Sequence, residues 1–191
     1  VAVAPESLHT RMLRWVTVSP AGDRVAYSAL GRIWIKDLPN GRPRRLTRQE
    51  DHWEFYPAWS RDGRSLVYVT WDDERQGSVR VAGLATGAGR AVTREPGRYL
   101  EPAFSPDGRT IVYRLAGGGG LFPTTGTRER GLFRVPVAGG APKKIRGSGY
   151  APHFGSSNDR VYLIDVSGED QDSRTLVSVD LDGAHEHAHL K

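Results

Sequence analysis

Apolar residues in this chain fall in short runs on consecutive positions, as in Leu66-Val67-Tyr68-Val69, where an in-and-out alternating strand would place a polar residue. Both faces of such a strand need burial, so the predicted element is a strand stacked between other sheets. A second strand-like unit follows each run: Ile33-Trp34-Ile35-Lys36-Asp37-Leu38, Val79-Arg80-Val81-Ala82-Gly83-Leu84, Leu132-Phe133-Arg134-Val135-Pro136-Val137 and Leu176-Val177-Ser178-Val179-Asp180-Leu181. Each leads through a glycine-containing turn, Asn40-Gly41, Thr86-Gly87, Gly139-Gly140 or Asp182-Gly183, into a short closing segment. Arg44-Arg45-Leu46-Thr47, Arg90-Ala91-Val92-Thr93 and Lys143-Lys144-Ile145 are such segments. Asn-Gly and Asp-Gly between apolar runs signal hairpins, because both central residues accept positive φ.

The strands belong to an internal repeat, marked by an aromatic-Ser-x-Asp-Gly-Arg phrase that leads to β-branched residues and a tyrosine. Trp59-Ser60-Arg61-Asp62-Gly63-Arg64 runs on to Tyr68, and Phe104-Ser105-Pro106-Asp107-Gly108-Arg109 runs on to Tyr113. Val18-Ser19-Pro20-Ala21-Gly22-Asp23-Arg24 ending at Tyr27 is a looser copy. Phe154-Gly155-Ser156-Ser157-Asn158-Asp159-Arg160 ending at Tyr162 is a degenerate one, read as having lost one turn residue. The serine position advances from 19 to 60, 105 and 155, within the period of about 40 to 50 expected of propeller blades. With four strands per repeat, the expected fold is all-β: a β-propeller segment of four four-stranded antiparallel blades, partial or open. A two-layer sandwich would show cleaner alternation and no fixed long period. The whole of 1–191 is read as one unit, with blades at about 11–47, 54–93, 99–146 and 149–191.

Composition narrows the classes. A length of 191 residues suits one domain, and 23 glycines with 12 prolines suit a turn-rich β fold. The net charge of +5 and pI near 9.7 raise nucleic-acid binding, but the arginines are scattered, and clusters such as Arg42-Pro43-Arg44-Arg45 are short. A solvated, arginine-coated surface is the expectation, with no nucleic acid as partner. No apolar run approaches the roughly 18 to 20 residues of a membrane span, and residues 1–6 lack the basic-then-apolar pattern of a secretory leader. Without cysteine there is neither a disulfide framework nor a thiolate metal site.

Pro57-Ala58-Trp59-Ser60-x-Asp62-Gly63-Arg64 and Pro102-Ala103-Phe104-Ser105-Pro106-Asp107-Gly108-Arg109, each followed by a tyrosine and later by a Leu-Thr-like ending, resemble the TolB-like (PD40, WD40-like) propeller repeat over nearly the full chain. The wording of Gly31-Arg32-Ile33-Trp34-Ile35-Lys36-Asp37-Leu38-Pro39 and Gly131-Leu132-Phe133-Arg134-Val135-Pro136 looks most like the propellers associated with amidohydrolases. The resemblance implies six or more blades, whereas about 45 residues per blade uses up this chain after four. Apolar faces on the first and last blades would then need covering by additional blades, by a partner domain or by a homo-oligomer. It also implies a periplasmic or secreted location. The expected function is a non-catalytic scaffold and binding module, part of a larger amidohydrolase-type hydrolase in which it binds or gates a partner domain or substrate. A stand-alone TolB-like protein–protein interaction module is the alternative.

Motifs for chemistry are weak, and neither a catalytic residue nor a cofactor is expected in these residues. His185-Glu186-His187-Ala188-His189 matches H-E-x-x-H, but a metalloprotease needs that motif on a helix, and here it fills the slot of a closing strand. On a strand, His185, His187 and His189 would point to one side and could hold an adventitious metal; a metal-dependent hydrolase is the third and weakest reading. Asp72-Asp73-Glu74 and Glu169-Asp170-Gln171-Asp172 are acidic without EF-hand spacing, and Gly117 to Gly120 lack a P-loop context. Topology gives more. In a four-stranded meander the loops between second and third strands share a face with the inter-blade links. That face should carry Trp71 to Gln76, Leu115 to Arg130 and Val166 to Ser173, with His52, Trp53, Glu54, Tyr56, Arg98, Tyr99, Glu101 and Tyr150 around the channel mouth as ligand- or partner-binding candidates.

Overall fold

The repeated phrase folds as a clasped turn. In the first three copies the serine hydroxyl donates to the aspartate of its own turn, Ser19 Oγ to Asp23 at 2.7 Å, and Ser60 Oγ to Asp62 and Ser105 Oγ to Asp107 at 2.6 Å. The same oxygen accepts the N–H of Arg24, Ser65 or Thr110 across the turn, at 2.9 to 3.0 Å. Gly63 and Gly108 hold φ of +66° and +69°, which explains a glycine at that step. Clasped in this way, each turn joins the first two strands of a sheet.

The computed structural model describes residues 10, 12–117, 129–166 and 173–190, and the described residues are all β, with no helix. Sixteen strands form four antiparallel sheets in sequence order. Blade I is β1 (Arg14–Val18), β2 (Arg24–Ala29), β3 (Arg32–Asp37) and β4 (Arg44–Arg45). Blade II is β5 (Trp53–Trp59), β6 (Ser65–Trp71), β7 (Val79–Gly83) and β8 (Gly89–Ala91). Blade III is β9 (Arg98–Phe104), β10 (Thr110–Ala116), β11 (Gly131–Pro136) and β12 (Lys143–Arg146). Blade IV is β13 (Tyr150–Phe154), β14 (Arg160–Asp165), β15 (Thr175–Asp180) and β16 (His187–Leu190). The four sheets are arranged as a four-blade β-propeller, the expected fold.

The consecutive apolar runs are explained by what lies on each side of a blade. Leu66 and Tyr68 of β6 pack back on Ala26, Ile33, Ile35 and Leu46 of blade I. Val67 and Val69, on the other face of the same strand, pack forward on Ile111, Tyr113 and Phe133 of blade III. Val112 and Leu132 of blade III meet Val161, Leu163 and Val177 of blade IV. Three cores therefore join four blades in order, and among the described residues no fourth core joins blade IV to blade I.

Strand pairing corrects one detail of the repeat. Val18 faces Val25, Trp59 faces Leu66, Phe104 faces Ile111 and Phe154 faces Val161, so the fourth turn has kept its full length. Leu163, not Tyr162, stands in the slot of Tyr68 and Tyr113, buried against the preceding blade. Tyr162 stands in the slot of Val67 and Val112 on the forward face. Register follows the hydrophobic face that must be buried, and here that face selects leucine.

Candidate functional site

Each innermost strand has one residue too many for its ladder. Pairing slips between Arg14 and Thr17, Phe55 and Ala58, Leu100 and Ala103, and Tyr150 and His153. Within each slip one residue turns left-handed: Trp15, Tyr56, Glu101 and Ala151, with φ of 50°, 54°, 53° and 49°. Pro57, Pro102 and Pro152 follow three of them, and a proline lacks the N–H that a bulge would leave without a ladder partner. A left-handed non-glycine residue is unfavourable by roughly 1 to 2 kcal/mol. Recurrence in every blade makes the bulge a feature of the architecture, one that brings neighbouring blades into contact around the inner ring. The Trp15 and Tyr56 rings lie 4.3 Å apart, and Glu101 Oε2 accepts the N–H of Ala151 at 2.8 Å.

The candidate residues divide along that ring. Between blades I and II, Glu54 is fully buried. Its Oε2 accepts the Ile33 N–H at 2.9 Å, and its Oε1 accepts the Thr47 hydroxyl. His52 lies beside it, with Nε2 3.9 Å from Glu54 Oε1 and Nδ1 2.9 Å from Asp51 Oδ1. Burial holds the His52 pKa below the ordinary imidazole value, although the Asp51 carboxylate pulls the other way. Trp53 is half-exposed, with the Arg32 guanidinium 5.4 Å from its ring centroid, and the Tyr56 ring lies tilted against Trp15 as above.

In blade III the slot of Glu54 holds Tyr99, which is buried edge-on against Tyr113 and donates its hydroxyl to Glu95 O at 2.7 Å. Burial raises its pKa. Arg98 is exposed at the start of β9. Glu101 holds Arg114 through two hydrogen bonds of 2.9 and 3.1 Å, and Arg114 lies 4.6 Å over the exposed Tyr150 ring. The structure thus gathers Glu101, Tyr150 and the unforeseen Arg114 into one contact, gathers His52, Glu54, Thr47 and Asp51 into another, and leaves Trp53 and Arg98 at the exposed rim.

The threonines were visible as Leu46-Thr47 and Val92-Thr93 endings whose role the sequence does not state. Thr47 donates to Glu54, and Thr93 Oγ1 accepts the Val79 N–H at 3.0 Å. Val79 is the counterpart of Ile33, so Thr93 accepts directly the third-strand N–H that in blade I is accepted by Glu54, with Thr47 donating to the same carboxylate.

The histidines lie at the far end of blade IV. His187 and His189 are in strand β16, where the ladder slips between Ala188 and Leu190, leaving His189 as the extra residue. His189 Nε2 is 2.7 Å from Ser178 Oγ, and its ring lies 5.5 Å from Tyr162. His185 precedes the strand, with Nδ1 2.6 Å from Asp180 Oδ2. Among the described residues no group of three or more His, Cys, Asp or Glu side chains is arranged to hold a metal ion. Asp72 Oδ1 accepts the N–H groups of Glu74 and Arg75, and Asp73 accepts Trp71 Nε1–H at 2.8 Å. Glu169 to Asp172, residues 118–128 of the long insertion and Gly118 to Gly120 lie outside the described residues.

No family model matches the chain. An uncharacterised protein of Agrobacterium fabrum is 29% identical over 181 residues, covering 88% of this chain and 58% of that protein. The Tol-Pal system protein TolB of Francisella tularensis is 34% identical over 95 residues, 48% of this chain and 22% of TolB. Among solved structures, TolB from Acinetobacter baumannii superposes with a TM-score of 0.72 at 15% identity, covering 94% of this chain and 43% of that one. The matched part of the chain therefore spans little more than half the length of the first of these relatives, and less than half of the superposed TolB. The repeat and the four stacked sheets describe a β-propeller, similar in sequence to TolB over about half of this chain's length.

Proposed function

We propose that this chain is a non-catalytic propeller segment that binds protein, seated in a longer assembly whose further blades or partner domain cover its two end faces. The observation that carries this reading is the exposure of those faces. Ala26, Val67 and Val112 occupy one slot in blades I to III and are each fully buried by the blade that follows, whereas Tyr162 in blade IV is only half-buried. At the opposite face, Trp59, Phe104 and Phe154 pack on the preceding blade, whereas Val18 of blade I is 55% exposed. The length of the relatives leaves room for such blades, and likeness to a Tol-Pal system protein supports a periplasmic or secreted setting.

Light scattering after size exclusion, with an apolar dye, tests the reading. The isolated chain should bind dye or self-associate, and extending the reading frame on both sides should abolish this. A rigid monomer that binds no dye would overturn the claim. The finer proposal, an attached amidohydrolase-type barrel, is tested by the reading frame beyond position 191. A metal-binding barrel there supports it, and a TolB-type companion domain supports the stand-alone interaction module.

A further inference from the structure

The two faces of the propeller are charged differently. In each blade the turn between the first two strands and the turn between the last two lie at the same strand ends, opposite the loop face. Neighbouring turns touch. Arg24 Nη2 lies 3.6 Å from where a Cβ on Gly63 would stand, Arg90 Nη2 donates to Val137 O at 2.6 Å, and the Asp107 N–H donates to Asn158 Oδ1 at 2.9 Å. The turns therefore make one continuous surface across the four blades.

On blades I to III that surface is basic. Arg61, Arg64 and Arg109 lie on the inner turns, and Arg42, Arg44 and Lys143 follow the outer ones. All six are exposed, and among the described residues none is in an ion pair. The carboxylates beside them are Asp23, Asp37, Asp62 and Asp107. Asp23 is paired with Arg24, while Asp62 and Asp107 accept from the serine hydroxyl and a backbone N–H of their own turns. The loop face is mixed. Glu50 is shared by Arg32 and Arg45, Arg75 lies between Asp51 and Asp72, Arg114 holds Glu101, and the exposed Arg48 and Arg94 stand near Glu50 and Glu95 in the chain. Among the described residues, the excess of basic over acidic side chains thus falls on the turn face.

Its layout selects the partner. The six unpaired cations spread outward from inner to outer turns and also around three blades, an array in two dimensions. A single-stranded nucleic acid would follow a track and stack its bases on exposed rings, but the exposed Trp53 and Tyr150 belong to the loop face. Leu38, 41% exposed, stands on the outer turn that carries Arg42. A plane of anionic headgroups meets such an array of cations and admits a leucine at the headgroup–acyl boundary. We propose that the turn face of blades I to III docks on an anionic phospholipid surface, its unpaired arginines meeting headgroup phosphates and Leu38 entering between them. This docking does not depend on how the two end faces are covered.

Co-sedimentation with phosphatidylcholine vesicles containing about 30% phosphatidylglycerol, at about 0.1 M salt, tests this. The chain should bind these vesicles and leave pure phosphatidylcholine vesicles unbound. A cation beside an anionic surface contributes about fivefold, so the double Arg61→Gln, Arg64→Gln chain should bind about tenfold or more weakly. The double Arg48→Gln, Arg94→Gln chain, with the same net charge but altered on the loop face, should bind within about threefold of the unaltered chain. Should the first variant lose its dispersed NMR spectrum, a spin-labelled lipid in anionic bicelles decides, and it should broaden the amides of residues 38, 42, 61, 64 and 109 in the unaltered chain. No binding to the anionic vesicles, equal loss in the two folded variants, or broadening confined to loop-face amides would overturn the proposal. Equal binding to neutral vesicles would overturn it by showing adhesion through the end faces, and tighter binding of duplex DNA or polyglutamate at the same charge concentration by showing a soluble polyanion as partner.

Discussion

Replacing Glu54 with alanine removes the polar fastening between blades I and II. The carboxylate accepts from Ile33 N–H at 2.9 Å and from the Thr47 hydroxyl, and it has no solvent exposure. Two hydrogen bonds to a charged acceptor are worth about 1.5 to 3 kcal/mol each. Against them stands the cost of burying a carboxylate whose nearest basic nitrogen, His52 Nε2, is 3.9 Å away, a cost of several kcal/mol that alanine relieves. The alanine variant also orphans the Ile33 N–H. A net loss of about 2 to 4 kcal/mol follows, equivalent to about 30- to 1000-fold faster exchange of the Ile33 amide where opening is local. Glu54→Gln retains an acceptor for Ile33 and offers an N–H to Thr47 Oγ1, so it should recover more than half of that protection. Hydrogen exchange followed amide by amide provides the assay. Ile33 exchange within threefold of the unaltered chain in Glu54→Ala, or a glutamine variant as labile as the alanine one, would refute the fastening.

Exposure at the end blade makes truncations to alanine unequal: Leu66→Ala, in the core between blades I and II, should cost about 2 to 5 kcal/mol in urea unfolding, and Val18→Ala less than about 0.5. The serine hydroxyls hold the Asp62 and Asp107 carboxyls below their ordinary pKa. Their stabilisation is therefore complete above about pH 3.9 and lost as pH falls through the depressed values, so a double Asp62→Asn, Asp107→Asn chain should show a flatter fall in urea midpoint between pH 5 and 2. His52 titrates below its ordinary 6.5, so its neutral form favours the fold above that value and stability declines as pH falls toward the folded pKa. His52→Gln should flatten the stability profile between pH 7 and 5.

What the sequence disclosed was local, and what it withheld was relational. The Ser-x-Asp-Gly phrase is legible because its donors, acceptors and positive-φ glycine all lie within six residues, so the clasp of Ser60 or Ser105 needs nothing from elsewhere in the fold. The inner-ring bulge is hidden because Trp15, Tyr56, Glu101 and Ala151 share no chemistry, only a backbone conformation and, in three cases, a following proline. Glu54 and Tyr99 could be placed near a channel mouth from topology, but not their opposite uses. One fastens a backbone N–H of the preceding blade, and the other is packed on Tyr113 within its own. Arg114 was unforeseen because Glu101 lies 13 residues before it and Tyr150 belongs to another blade. Tyr162 misled because a tyrosine after a turn looks alike on either face of a strand, and only the pairing of Phe154 with Val161 shows which face it takes.

That misplaced tyrosine bears on how the ends are covered. The outward face of blade I has Val18 exposed, an aliphatic side chain in the slot where Trp59 lies against blade I with its indole N–H donating to Thr17 O at 3.2 Å. The outward face of blade IV is built differently. Tyr162 lies between His153 and His189 at centroid distances of 5.9 and 5.5 Å, and the Ser178 hydroxyl between β15 and the ring of His189 is already shared with Arg160 Nε at 2.8 Å. Apolar contact suffices to cover the first face. An element covering the second must also meet imidazole edges and a phenol hydroxyl, because burying those groups without partners is unfavourable. Simple head-to-tail stacking of identical copies would set Val18 against this polar stack and leave its groups unmet, so the two ends are suited to two different neighbours, as successive non-identical blades of one longer propeller provide.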